Sequence, residues 1–132
     1  MPNWCYNTLK IKGDEKELLR FKKKAKGSAT DKTELSLEKL LPKPPNLPWD
    51  QWTQKNWGTK WDVHANIEEE NEYELVYDFD SAWSPPLEGI TTISKDFPKL
   101  IFIMTYEEEG CCFQGLARIE NGDIEDHSIT TA

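Results

Sequence analysis

The chain has 132 residues, of which 37% are hydrophobic, a length and composition suited to one domain with a buried core. Its 24 acidic and 16 basic side chains give a formal net charge of -8, which argues against nonspecific attraction to nucleic acid or an anionic membrane and admits a strongly basic partner. No apolar run reaches the ~20 residues that span a bilayer, and the opening Met-Pro-Asn-Trp-Cys lacks a basic segment followed by an apolar signal core, so a cytoplasmic location in the cell is expected.

In chain order, Trp4 to Lys12 alternates Cys5, Leu9 and Ile11 with Trp4, Tyr6, Thr8 and Lys10, the pattern of a half-buried strand. Asp14 followed by Glu17 has the spacing of a capping box, and Leu18, Phe21 and Ala25 continue as a helix that Gly27 stops. The lysines and Arg20 of that helix read as its solvated face. The run "LLPKPPNLP", Leu40 to Pro48, predicts an extended but ordered connection, with Trp49, Trp52 and Trp57 packed around it. Trp61 to Glu68 and Glu72 to Phe79 then alternate as two strands of a hairpin turning near "EENE". In "SAWSPPLEG", Ser84 suits a helix cap and Pro85 the first helical position, with Leu87, Ile90 and Phe97 as an apolar stripe. "LIFIMTY", Leu100 to Tyr106, is apolar on both sides, as expected of a strand covered on each face. "EEEG" suggests a turn into "CCFQGLARI", and Asn121-Gly122 is a hairpin signal leading to a last strand around Ile124 to Ile129.

This order predicts an α+β fold: a ferredoxin-like split β-α-β sandwich, with a mainly antiparallel sheet, two helices and an additional C-terminal β-hairpin. Residues 1–132 read as one such domain, with a Pro/Trp-rich insertion at about 42–60. Helices on one side of the sheet leave Trp4, Tyr6 and Thr8 on the other, where the insertion is available as a lid.

Taken together, "MPNWCYNTLKIKG", "LEKLLPKP", "NWGTKWD", "FDSAWSPP", "FPKL" and "YEEEGCCFQG" resemble the YubB-type ferredoxin-like family of phage and plasmid proteins over nearly the whole chain. The resemblance implies a ferredoxin-like fold and a mobile-element setting in a bacterial host. It brings no catalytic residues with it. Ser81 stands where threonine is more usual in the "FDSAWSPP" motif, and larger relatives carry further sequence that this chain lacks.

The tryptophan motifs are where chemistry concentrates. Trp57, Lys60, Trp61 and Asp62, joined by Asn3, Asn7, Trp83 and Ser84, combine flat apolar surfaces with a cation and hydrogen-bonding groups suited to a planar, anionic ligand such as a nucleotide. The same indoles serve equally well as core packing, with Lys60 paired to a carboxylate. No metal site is expected, since Cys5, Cys111, Cys112 and His64 lack zinc spacing and the Glu107 to Glu109 run reads as a solvated turn. Three cysteines, two of them adjacent, read as reduced thiols. Neither His64 nor His127 has an identifiable nucleophile, Ser84 lacks a nucleophile-elbow context, and no phosphate loop or dinucleotide fingerprint occurs; no catalytic residues and no cofactor are assigned.

Three functions follow as expectations. The first is a noncatalytic accessory protein that binds a small, nucleotide-like molecule and counteracts a host defence. The second is an acidic, DNA-mimic-like inhibitor whose hairpin, from Glu68 to Asp78, engages a basic host protein. The third is a nucleotide-processing enzyme. Partners are a small molecule or a host protein, without direct nucleic-acid or membrane contact; oligomeric state has no signature in the sequence.

Overall fold

The alternation of Cys5, Asn7, Leu9 and Ile11 inward against Trp4 and Tyr6 outward organises the molecule, because this first strand becomes the middle of the sheet. A computed structural model describes residues 3–130, with the side chain of Trp49 excepted. The elements are β1 (Trp4–Lys12), α1 (Glu15–Ala25), α2 (Leu37–Leu40), α3 (Trp49–Asn56), β2 (His64–Glu70), β3 (Glu74–Ala82), α4 (Leu87–Ser94), β4 (Ile101–Glu108), β5 (Phe113–Glu120) and β6 (Asp123–Thr130).

The six strands form one antiparallel sheet in the order β2-β3-β1-β4-β5-β6. Its first four positions, with α1 and α4 as the crossovers, make the split β-α-β arrangement read from the sequence. The hairpin β5–β6 continues the sheet beyond β4. Asn121 and Gly122 form its turn at φ +46° and +84°, the left-handed pair that a two-residue hairpin requires.

The core lies between the sheet and the helices. Phe21 of α1 meets Tyr77, Phe97 and Phe102 edge-on, with centroids 5.1 to 6.2 Å apart, an arrangement favoured by the ring quadrupoles. Leu9, Ile11, Ile90, Ile93 and Met104 complete this layer. Tyr106 points to the same side and crosses β5 at Gly115, where an added Cβ would stand 2.3 Å from its hydroxyl oxygen. That gap lets the phenol donate to Asp126 of β6 at 2.5 Å and ties the appended hairpin to β4.

Several local expectations are corrected. Asp14 precedes α1 without a side-chain cap bond, so the capping box does not form. The insertion carries a helix, α3, directly after the extended proline run, and α3 packs beside α4. The packing expected of the Trp49 ring falls outside the described residues. Ser84 does not cap α4, whose N-cap is Pro86. Finally, β4 is covered on one face only: Phe102, Met104 and Tyr106 are buried, whereas Ile101 and Ile103 face outward between Lys12 and Glu120 and between Lys10 and Arg118.

Candidate functional site

The eight residues singled out above separate into two groups. Trp57 is fully buried: its indole N–H donates to the Leu41 carbonyl at 2.9 Å, its ring meets Trp52 edge-on at 5.9 Å, and Gly89 of α4 packs against its backbone. Trp57 is therefore a core residue and not the wall of an open site. Asp62 is spent in the same way, its carboxylate accepting from Ser36 Oγ at 2.8 Å, from the N–H groups of Leu37 and Glu38 that begin α2, and from Val63 N–H. Asn7 is buried on the helix side, donating to the carbonyls of Cys5 and Phe79 and to Ser81 Oγ. Asn3 donates to Cys111 Sγ and accepts from Trp83 N–H, so it joins chain segments at the sheet end.

The second group stays together at the surface. Trp61 and Trp83 are 38% and 46% exposed, and Trp61 lies 6.2 Å from Trp4, itself 42% exposed, in a tilted pair. The Lys60 ammonium sits 5.3 Å from the Trp61 ring centroid and 3.8 Å from Asp50, a long and solvated ion pair. Lys60, Trp83 and Ser84 line an open cleft of ≈ 460 Å³ whose other walls are Gln54, Gly58, Thr59 and Glu88.

Backbone geometry holds this cleft in shape. Trp83 has φ +71°, and Ser84 N–H donates back to the Ala82 carbonyl at 2.9 Å, a three-residue turn with a positive central φ. Such a conformation is strained for a bulky side chain, and residues held this way concentrate at binding and catalytic sites. Ser84 Oγ donates to the Gly58 carbonyl at 2.5 Å, Thr59 Oγ1 donates to the Ala82 carbonyl at 2.8 Å, and the Glu88 carboxylate lies against Gly58 at φ +85°. Ser84 is thus a brace, with its hydroxyl committed to the wall. The side chains of Gln54 and Glu88 have no hydrogen-bond partner among the described residues, which leaves them and Lys60 as the groups that face an incoming molecule.

His64 and His127 lie on the outer sheet face, opposite Asp80 and Leu116 in the strand register. Burial pushes the Cys5 thiol up to about 12 and also pushes the Tyr77 phenol up. Both groups face the core. Among the described residues no group of three or more His, Cys, Asp or Glu side chains is placed to hold a metal ion, and no helix is long and apolar enough to cross a membrane.

Gln54, Thr59 and Glu88 were not legible as site residues. Gln54 belongs to a helix that the proline run concealed, and Glu88 meets Gly58 only through the packing of α4 on the segment after α3.

The sheet order, the two crossover helices and the added hairpin define a ferredoxin-like domain. The chain belongs to the family described as the ferredoxin-like domain in Api92-like protein, which it matches over residues 57–132. The crystal structure of a protein api92 from Yersinia pseudotuberculosis has a similar fold, with a TM-score of 0.76 over 100% of this chain and 99% of that one. At 11% identity the likeness is one of fold. No curated protein matches the sequence significantly.

Proposed function

We propose that this protein is a noncatalytic binding protein whose cleft, lined by Trp83, Lys60, Gln54 and Glu88, takes a small planar molecule with an anionic end, of the nucleotide class. The observation that carries this reading is Trp83, a large indole held half exposed at φ +71° on the rim of a cleft that Lys60 also lines. Stacking on an aromatic ring contributes roughly 1–3 kcal/mol per base, comparable with a charge-assisted contact from one lysine. Lys60 suits the anionic end, while Gln54 and Glu88 offer acceptors to ring N–H or amino groups. A role against host defence, in a phage or plasmid setting and in the bacterial cytoplasm, is the biological reading that the motif resemblance suggests for such a binder.

The acidic-mimic alternative is less well supported, because two carboxylates of the β2–β3 hairpin already have local partners: Glu70 meets Lys22 at 2.8 Å and Glu74 meets Lys12 at 3.0 Å. The enzyme alternative has no aligned nucleophile and base among the described residues.

The test is mass spectrometry of small molecules retained on native purification, followed by thermal shift and calorimetry with a nucleotide panel. At a hundredfold excess over Kd a ligand should stabilise the fold by about 2.7 kcal/mol. Trp83→Ala and Lys60→Ala should each abolish most of that shift while remaining folded. No retained molecule and no shift across the panel would remove the proposal.

A further inference from the structure

A second surface on this molecule is unclaimed by the cleft. The helices cover one face of the six-stranded sheet, and among the described residues no helix covers the other. The register places His64, Asp80, Tyr6, Glu107, Gln114 and Ile129 in one row across that face. The next row is Asn66, Asp78, Thr8, Thr105, Leu116 and His127. From β3 to β6 these rows line a shallow hollow of ≈ 620 Å³.

Its chemistry runs in one direction. The β3, β1 and β4 half offers Asp78, Asp80, Tyr6 and Glu107; the β5 and β6 half offers Leu116 and Ile129, both exposed. No lysine or arginine lines the hollow. Lys10 and Arg118 lie one row further along the sheet, and Arg118 is engaged by Glu120 at 3.0 Å. Burial raises the Asp80 carboxyl above the usual carboxylate range, and Asp78 raises that of Glu68 through a hydrogen bond and its charge. These carboxylates are crowded without a counter-charge. An aromatic on the central strand of such a face would otherwise suit stacked nucleic-acid bases, but the carboxylates around Tyr6 repel a phosphate backbone.

We infer that this outer sheet face is a docking surface for an extended segment of a basic protein partner, with arginine or lysine side chains seated among Asp78, Asp80 and Glu107 beside Tyr6, and apolar side chains of the same segment on Leu116 and Ile129. Charge complementarity selects the partner, and length selects an extended peptide. With neighbouring strands ~4.8 Å apart, β3 to β6 spans roughly 19 Å, about six extended residues and far beyond the reach of a single cation. A guanidinium is favoured at Tyr6 because its plane stacks on the ring while its donors pair with carboxylates on either side. This surface is independent of the Trp83 cleft, and either can fail without the other.

The probe is a fluorescent octapeptide with two arginines followed by leucine and isoleucine, titrated against the full chain by anisotropy and mapped by amide chemical shifts. Binding should perturb β1, β3, β4 and β5 resonances and weaken steeply with salt. Asp78→Asn with Asp80→Asn should weaken it about tenfold or more, by loss of close charge pairs. Leu116→Ser should weaken it by a smaller factor, and Trp83→Ala should leave it unchanged. A peptide with glutamate in place of arginine should not bind. The inference is overturned if millimolar peptide fails to bind or if the asparagine variants bind as well as the parent. It is equally overturned if spermine or single-stranded RNA takes the same face more tightly than the peptide.

Discussion

Trp57 and Trp61 stand four residues apart in one short motif, yet one is sealed in the core and the other lies on the surface against Trp4. On a continuous helix that spacing would put both indoles on one face. Here α3 ends between them. Trp57 is its C-cap, with its N–H and that of Gly58 both donating to the Thr53 carbonyl at 2.8 and 3.1 Å, and Gly58 turns the chain at φ +85°. The indole before the turn stays with the helix and packs inward. The one after it is carried to the surface, where it packs on Trp4, so the motif passes from holding the fold to facing solvent.

Breaking that contrast should give the largest effect. Trp57→Ala removes a fully buried indole and orphans the Leu41 carbonyl it serves, an expected loss of about 3–5 kcal/mol on urea unfolding. Trp61→Ala should cost less than about 1 kcal/mol, since a half-exposed ring with one tilted neighbour loses little burial. Equal losses for the two would mean that Trp61 also belongs to the core.

The same contrast continues one position further. Asp62→Ala strips three accepted hydrogen bonds from the start of α2 and one from Val63 N–H, and should destabilise by about 1–2 kcal/mol, without changing ligand affinity in the folded protein. Lys60→Ala should do the reverse, leaving the unfolding midpoint within about 0.5 kcal/mol of the parent while reducing nucleotide capture.

What was legible in the sequence follows the same physical line. β1 reads at its full extent, Trp4 to Lys12, because one face repeats apolar residues at period two. The Asn121-Gly122 turn reads from its residue types, because left-handed pairs select them. Failures occurred where spacing or residue type leaves more than one partner open. Asp14 and Glu17 had the right spacing for a capping box, but Glu17 turns instead to Arg20 at 2.7 Å. α3 was hidden because proline removes donors only within the preceding run and suits a helix entrance. Half of the candidate site was visible as exposed-capable aromatics next to a lysine. The commitment of Asp62 and Asn7 to buried hydrogen bonds was not, because their partners are up to 74 residues away.

Trp83 tests whether strain at the rim serves binding. Trp83→Gly places a residue tolerant of φ +71° in the turn, and should stabilise the protein by up to about 1 kcal/mol despite the lost indole contacts, while abolishing nucleotide capture. If the glycine variant is instead much less stable, the indole is held there by packing and the positive φ has no link to a ligand.

The smallest effect separates, through pH, a carboxyl on the open sheet face from one buried on the helix side. Asp80 has its carboxyl raised by burial, so the folded state binds the proton more tightly than the unfolded chain. Stability therefore falls as pH rises from the ordinary carboxylate pKa through the raised value, and is lower by that amount at neutral pH. Glu108 has the opposite sign: burial pulls its carboxyl up, but hydrogen bonds from Cys111 and from Gly110 N–H outweigh it and hold it below its usual range. Its contribution is present at neutral pH and is lost as pH falls through the depressed value. Asp80→Asn should therefore raise Tm slightly at neutral pH and lose that advantage in acid, whereas Glu108→Gln should lower Tm at neutral pH and converge on the parent in acid. Parallel Tm-against-pH curves for the parent and both variants would show that neither carboxyl is shifted, and would take away the crowding of unbalanced charge that marks the β3 end of the face as a place for a cation.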